Sequence, residues 1–135
     1  MIIKLAGCIL LNDRHQIGLL HRNKNGITQW ELPGGKIEQN EAAEAAAKRE
    51  LKEELGIDVR IVKRVGEAEF ESGDMSYHYT WFLANIQNGT PTICEPETFD
   101  QFQYFDFSEL HALELSGNMQ QLLKQLDDKT IDLFK

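Results

Sequence analysis

A short run of charges, RELKEELG at residues 49–56, limits this sequence more than any other feature. The stretch from Glu41 to Leu55 contains neither glycine nor proline and is rich in alanine. Asn40 precedes it as an N-cap, and Gly56 follows it at the position where helices commonly end in a left-handed residue. The pattern therefore predicts a helix over 41–55.

Three glutamates share one face of this predicted helix. Its packing stripe recurs every four residues and consists of Ala43, Ala47, Leu51 and Leu55. Glu50, Glu53 and Glu54 fall together beside the stripe, and among them only Glu53 has a base, Arg49, four positions away. The C-terminal end of a helix also disfavours anions, by ~0.3–1 kcal/mol each. A bound divalent cation would reverse these unfavourable terms, and oxygen ligands alone favour Mg²⁺ or Mn²⁺ over zinc. The alternative is an ordinary charged helix surface.

Composition excludes several function classes. The net charge of −8 argues against binding to a nucleic-acid polymer or to an anionic membrane. No apolar run is long enough to span a membrane, and the N-terminus does not resemble a signal peptide. Cys8 and Cys94 are far apart and form no CxxC pair, which suits reduced thiols in a cytoplasmic protein.

The remaining sequence alternates between predicted strands and helices. Strands are predicted at 2–11, 17–21, 57–70, 76–86 and 103–107, and WELPGGK at 30–36 predicts a strand that ends at Pro33 and the glycine pair. SELHAL predicts a helical turn, and NMQQLLKQL, from Asn118, predicts a closing amphipathic helix. Strands around two helices in 135 residues predict one α/β domain, a sandwich built on a mixed sheet.

The spacing around the acidic run resembles a known signature. Gly35, five residues, Glu41, seven residues and then RELKEELGI match the Nudix box, G-x5-E-x7-R-E-U-x-E-E-x-G-U, at every specified position over residues 35–57. WELPGG before the box and LLHR, EPE and FDFSEL elsewhere are also similar to this family. The resemblance implies a Nudix hydrolase domain over residues 1–135, with the α/β/α sandwich fold. It also implies hydrolysis of a nucleoside diphosphate linked to another group, with Mg²⁺ as cofactor and Mn²⁺ as a substitute.

The resemblance assigns roles to individual residues. Glu50, Glu53, Glu54 and the carbonyl of Gly34 would bind the metal, and Glu97 or Glu95 would be a further ligand or base. Arg49 and Glu41 would be a supporting pair that orients these ligands. The general base would be Glu53 or Glu50.

The substrate contacts carry open alternatives. Arg22 and Lys36 are placed as phosphate contacts in similar proteins, with solvated surface charge as the alternative. Tyr79, with Tyr77 and Trp81, is a candidate for stacking on a base, although an aromatic stripe in a strand is more often core. Asn118 is a candidate for reading a purine edge, and its alternative is a plain N-cap.

Three functions remain open at this point. The segments YHYTWF, EPE and FDFSEL favour a MutT-type pyrophosphatase acting on a (d)NTP or an oxidised dNTP such as 8-oxo-dGTP. ADP-ribose or nucleotide-sugar hydrolysis is the second function, although the sequence lacks the downstream proline common among ADP-ribose hydrolases. A catalytically silent Nudix domain that binds a nucleotide and regulates a partner is the third. The expected partner is a small nucleotide, and a homodimer is compatible with the sequence.

Overall fold

The computed structural model describes residues 1–134 and consists of two sheets and two α-helices. The bounds of its elements are β1 Ile2–Leu10, β2 Ile17–Lys24, β3 Ile27–Glu31, β4 Gly34–Lys36, α1 Ala43–Leu55, β5 Asp58–Ser72, β6 Met75–Asn88, β7 Phe99–Phe105 and α2 Gly117–Asp127. A 3₁₀ helix, Phe107–Ala112, precedes α2. These elements confirm the predicted α/β class.

The larger sheet is mixed and has the order β4-β1-β6-β5. Strand β1 runs parallel to β6 and antiparallel to β4, and β5 pairs antiparallel with β6. A second, antiparallel sheet has the order β3-β2-β7. The two consecutive strands β1 and β2 therefore belong to different sheets.

The core lies on both faces of the larger sheet, because alternate residues of β6 point in opposite directions. Phe82 and Ala84 pack in one apolar cluster with the buried face of α1, while Tyr79 and Trp81 pack in a second cluster with α2. Helix α1 contributes Ala46, Ala47, Leu51 and Leu55 to the first cluster. Burial of each leucine stabilises the fold by roughly 1.5–3 kcal/mol. The arrangement confirms the predicted sandwich of helix, sheet and helix.

The start of α1 differs from the prediction. The helix begins at Ala43, and the N-cap position is Ala42, which makes no side-chain capping hydrogen bond. Asn40 has a φ of 64° and lies in a left-handed turn before the helix. Glu41 is therefore outside the helix, and its carboxylate accepts the Glu38 backbone N–H at 3.0 Å. The predicted C-terminus is confirmed, because Gly56 has a φ of 70° and donates its N–H to Lys52.

Several other boundaries also differ, among them the following three. The Gly34-Gly35 pair does not end the sheet, because it forms β4 and pairs with Gly7 and Ala6 of β1. Strand β7 is shifted towards the N-terminus and ends at Phe105, where the 3₁₀ helix takes over. Helix α2 starts one residue earlier than predicted, with Ser116 at the N-cap position.

Two further features concern cysteines and membranes. Cys8 is buried and Cys94 is exposed, and both are free thiols. Burial raises the pKa of Cys8 to about 12. Within residues 1–134, no helix combines the length and the apolar character needed to cross a membrane.

Strand β4 depends on close approach to β1, which gives a first prediction. A Cβ added at Gly7 would lie 2.1 Å from the Tyr79 hydroxyl and 2.5 Å from the Pro33 carbonyl oxygen. We expect Gly7→Ala to lower the free energy of unfolding by about 1–3 kcal/mol, because the backbone carbonyl must move. Denaturant unfolding measures this loss.

The control substitution is Gly66→Ala. A Cβ at Gly66 would meet the end of the flexible Ile131 side chain at 3.1 Å, so a smaller loss is expected there. Equal losses at the two glycines would show that the contact between β1 and β4 is not tight.

Candidate active site

Arg49 lies at the centre of the acidic site and links α1 to the chain before it. Its Nε and Nη2 donate to the two carboxylate oxygens of Glu41 at 2.9 and 3.0 Å, and Nη2 also donates to the Lys36 carbonyl at 2.9 Å. Nη1 donates to Glu50 at 3.0 Å and to Glu53 at 2.9 Å. The Arg49 hydrogen bond lowers the pKa of Glu41 to about 2. The predicted supporting pair, Arg49 and Glu41, is therefore in contact. The sequence spacing did not predict the additional hydrogen bond from Arg49 to the Lys36 carbonyl.

Glu54 is the buried member of the acidic run and is only 5% exposed. Its carboxylate accepts the Gly34 backbone N–H at 2.8 Å, which joins α1 directly to β4. Burial raises the pKa of Glu54 well above its usual value, and the charge of Glu50 raises it further. The Gly34 hydrogen bond opposes this shift without removing it.

Glu50 packs against the second glycine of β4. A Cβ at Gly35 would lie 2.4 Å from the carboxyl carbon of Glu50, so only glycine leaves room for this carboxylate. Burial raises the pKa of Glu50, although the Arg49 hydrogen bond opposes the shift. Glu53 is different, because its side chain is 48% exposed.

A fourth carboxylate approaches from the loop between β6 and β7. The charge of Glu95 contributes to the raised pKa of both Glu50 and Glu54. Burial raises the pKa of Glu95 itself, and the charges of Glu97 and Glu53 add to that effect. The Cys94 N–H donates to the Glu54 carbonyl at 3.1 Å, which holds this loop against the end of α1. Glu95 thus lies in the field of Glu50 and Glu54, and the other predicted candidate, Glu97, lies two residues further along the same loop.

The donor set fits a hard divalent cation. Within residues 1–134, carboxylate and backbone carbonyl oxygens line this point, and these are the ligands that Mg²⁺ and Mn²⁺ prefer. The charge of Glu95 raises the pKa of Glu50 and Glu54, and the charge of Glu50 raises the pKa of Glu54, so the site has negative charge that Arg49 leaves uncompensated. No three acid, histidine or cysteine side chains in the described part of the chain are already arranged around one point as a complete metal site. Arg49 instead holds Glu50 and Glu53.

The two predicted phosphate contacts differ in their surroundings. Arg22 is half-buried, donates to both oxygens of Glu31, and lies with its guanidinium carbon 5.0 Å from the centre of the Phe99 ring. Lys36 has an exposed side chain at the end of β4, and its carbonyl binds Arg49. Sequence reasoning missed Glu31, although it lies inside the WELPGG segment, because its contact with Arg22 depends on how β2 and β3 align.

The two predicted base contacts are both buried. Tyr79 is 3% exposed and lies in the second core cluster, with its hydroxyl against Gly7 and Gly34. This burial leaves no ring face for stacking and favours the core alternative. Asn118 is 9% exposed in the first turn of α2, so it is not the N-cap. Its Nδ2 donates to Ser116 at 3.1 Å, while its Oδ1 has no partner within residues 1–134.

Comparison with known proteins identifies relatives of this chain. A family model of the NUDIX domain matches residues 2–126. The 8-oxo-dGTP diphosphatase of Haemophilus influenzae is 34% identical over 92 residues, which cover 67% of this chain and 68% of that protein. The RNA pyrophosphohydrolase of a Marinomonas species is 43% identical over 124 residues, with 76% and 74% covered.

A solved structure is similar over nearly the whole chain. The crystal structure of a MutT NUDIX hydrolase from Burkholderia pseudomallei superimposes with a TM-score of 0.83 at 25% identity, covering 93% of this chain and 98% of that one. Two other curated relatives are matched over shorter segments, and there the chain spans only 40% of the relative's length.

The uncompensated charge at Glu54 gives a second prediction. Glu54→Gln keeps the shape of the side chain and an oxygen for the Gly34 N–H but removes one negative charge. We therefore expect the metal-free variant to be at least as stable as the wild type. Because a ligand that binds only the folded state raises its stability, millimolar Mg²⁺ should raise the melting temperature of the wild type more than that of the variant. Thermal melts with EDTA or Mg²⁺ measure both effects.

The matched control is Glu44→Gln, an exposed acid in the first turn of the same helix. Its response to Mg²⁺ should equal that of the wild type. A clearly destabilised metal-free Glu54→Gln protein with an undiminished Mg²⁺ response would make Glu54 a structural residue.

Proposed function

The chain belongs to the NUDIX domain family, among its MutT-type hydrolases, and we propose that it is a Mg²⁺-dependent pyrophosphohydrolase of nucleoside triphosphates. The observation that carries this proposal is the packing of the Glu50 carboxylate against Gly35, beside the hydrogen bond from the Gly34 N–H to Glu54. The relatives named as an 8-oxo-dGTP diphosphatase and an RNA pyrophosphohydrolase support cleavage within a chain of phosphates. We include oxidised dNTPs such as 8-oxo-dGTP among the proposed substrates.

The cation would be held by the Nudix-box carboxylates Glu50, Glu53 and Glu54 and by the Gly34 carbonyl. Glu95, with Glu97 beside it in the same loop, would complete the acidic set. When bound, Mg²⁺ neutralises phosphate oxygens and lowers the pKa of a water molecule.

The chain's own residues then orient the reaction. Arg49 fixes Glu50 and Glu53 relative to one another, and Glu41 fixes Arg49. Glu53 is exposed and is our first choice for the general base, since it can take a proton from the attacking water and release it to solvent. Glu50 is the second choice. Arg22 and Lys36 would bind phosphate oxygens, which aligns the phosphate chain with the attacking water.

A substrate panel gives the third prediction. With Mg²⁺, the purified protein should convert dNTPs and 8-oxo-dGTP to the monophosphate and pyrophosphate. Hydrolysis of the anhydride bond between the α and β phosphates releases the two outer phosphates together. Ion-exchange chromatography separates these products. Glu54→Gln should lower kcat by about a hundredfold or more, the scale expected when several kcal/mol of charge stabilisation are lost.

The other functions predict different results in the same panel. Orthophosphate as the main product would contradict cleavage between the α and β phosphates. Turnover confined to ADP-ribose or nucleotide sugars would place the chain in the second function class. Tight nucleotide binding without turnover of any compound would identify a silent binding domain.

Asn118 gives the fourth prediction, on the proposal that its unpartnered Oδ1 reads the base. Asn118→Ala should lower kcat/KM for the preferred nucleotide by about tenfold to a hundredfold, which corresponds to one or two hydrogen bonds of ~1–1.5 kcal/mol each. Other nucleotides should lose less. Kinetics across the nucleotide panel measure this difference.

Ser116→Ala is the matched control, since it removes only the hydroxyl that Asn118 contacts inside the protein. It should leave the ranking of nucleotides unchanged. An equal loss of kcat/KM for every nucleotide in Asn118→Ala, together with a lower melting temperature, would assign Asn118 to packing alone.

A further inference from the structure

Arg22 is held by side chains from both neighbouring strands. Its Nε and Nη2 donate to the two oxygens of Glu31, the second at 3.1 Å, and its guanidinium group lies over the ring of Phe99. Gln29 donates to the same Glu31 carboxylate at 2.7 Å. Because a guanidinium group with two fixed hydrogen bonds and one ring contact has little rotational freedom, its orientation is set before any ligand arrives.

The strand that carries Arg22 is fixed on its other face as well. The pairing of β2 with β7 shifts between His21 and Arg22, so that Asp100 is left outside the regular pairing. The Asp100 carboxylate lies 2.7 Å from His21 Nδ1 and accepts a hydrogen bond from Asn23 at 3.1 Å. Irregular pairing of this kind redirects side chains and occurs often beside active sites. The residues on both sides of Arg22 are thereby held in place.

One edge of the Arg22 guanidinium remains available. Glu31 accepts the Nε hydrogen and one Nη2 hydrogen, and within residues 1–134 Nη1 makes no hydrogen bond. The side chain is 31% exposed. The Glu31 hydrogen bond raises the pKa of Arg22, and the charges of Glu54 and Glu95 add to this effect, so the group lies within the field of the carboxylate cluster.

We propose that Glu31, supported by Gln29, is a positioning residue that presents the free edge of Arg22 to the phosphate chain of a nucleotide. The inference rests on the proposed function, because Arg22 is a phosphate contact only if the substrate is a nucleoside polyphosphate. Glu31 does not touch the substrate and acts through Arg22. It also carries a negative charge next to a phosphate site, which lowers the attraction between Arg22 and phosphate. Positioning and charge therefore predict opposite effects when Glu31 is neutralised.

Two substitutions at Glu31 separate these effects. Glu31→Gln keeps one acceptor oxygen but loses the second acceptor and the charge, whereas Glu31→Asp keeps the charge and shortens the side chain by one methylene. If Glu31 positions Arg22, both variants should raise KM for the preferred triphosphate about tenfold, with kcat within about threefold of wild type. If Glu31 only balances charge, Glu31→Gln should lower KM and Glu31→Asp should resemble the wild type, which would overturn the inference.

A double-mutant cycle with Arg22 tests whether Glu31 acts through it. Arg22→Ala alone should raise KM at least tenfold, and adding Glu31→Gln should raise it no further, because the positioned group is already gone. Additive losses in the double variant would overturn the inference. Glu67→Gln is the matched control, since it breaks the ion pair with Arg64 on β5, away from the site, and should leave both kinetic constants unchanged.

Calorimetry separates failure of the inference from failure of the proposed reaction. The Kd of an α,β-methylene triphosphate analogue with Mg²⁺ does not depend on cleavage, and Glu31→Gln should weaken binding about tenfold in the wild-type background but not with Arg22→Ala. This pattern without hydrolysis of any triphosphate would support the positioning role while contradicting the proposed reaction. Hydrolysis of triphosphates with equal Kd and KM in wild type and Glu31→Gln would leave the reaction standing and overturn the inference.

Discussion

The hydrogen bonds of one guanidinium group, that of Arg49, allow several carboxylates to lie side by side. Arg49 contacts Glu41, Glu50, Glu53 and the Lys36 carbonyl at the same time. Two unit charges roughly 5 Å apart at an effective dielectric near 20 interact by about 3 kcal/mol, so acids this close need a nearby cation. Arg49 supplies that cation on one side only. Glu54, on the buried side, keeps a raised pKa and depends on the Gly34 N–H.

Packing offsets the repulsion between these carboxylates, because the opposite face of α1 is buried in the core. Ala46, Ala47, Leu51 and Leu55 are fully buried against the larger sheet. The burial of the two leucines alone contributes about 3–6 kcal/mol, which equals or exceeds the repulsion between one pair of half-buried carboxylates. The helix is therefore held by its apolar face, and its acidic face can be kept in a locally unfavourable state that suits a ligand. A similar division applies to the smaller sheet, whose core residues leave Arg22 at the rim beside Glu31 and Phe99.

The sequence predicts those features whose cause is local. Gly56 ends α1 because a left-handed residue is needed there, and the alternation in β6 separates Tyr79 and Trp81 from Phe82 and Ala84. The Nudix-box spacing places Glu50 and Glu54 on one face of a helix, and the pairing of Arg49 with Glu41 follows from the family resemblance.

The features that sequence reasoning missed all depend on tertiary contacts. Helix propensity alone predicted a start at Glu41. The helix begins later because Asn40 has a left-handed conformation and Glu41 accepts a hydrogen bond from Arg49. Strand β4 exists only because β1 lies beside it, since glycine pairs have low strand propensity. The contact between Arg22 and Glu31 requires the register of β2 and β3, which the sequence does not contain. Alternation places Tyr79 on one face of β6, but it does not show that other elements cover this face. Tyr79 is buried because it packs in the second core cluster with α2.

The order of the larger sheet has a consequence for how the chain reaches this structure. Strand β1 precedes β6 by more than 60 residues in the chain, yet it pairs along its whole length with β6, where Ile2 meets Ser76 and Leu10 meets Ala84. Residues 2–55 contain β1, β4 and α1, and therefore both partners of the contact between Gly34 and Glu54. The parallel β1–β6 pairing must instead close a long loop, and non-local pairing of this type slows folding relative to helical proteins of similar length. Because the apolar face of α1 packs in one cluster with Phe82 and Ala84 of β6, we expect the acidic residues of α1 to be fixed only when this sheet has closed.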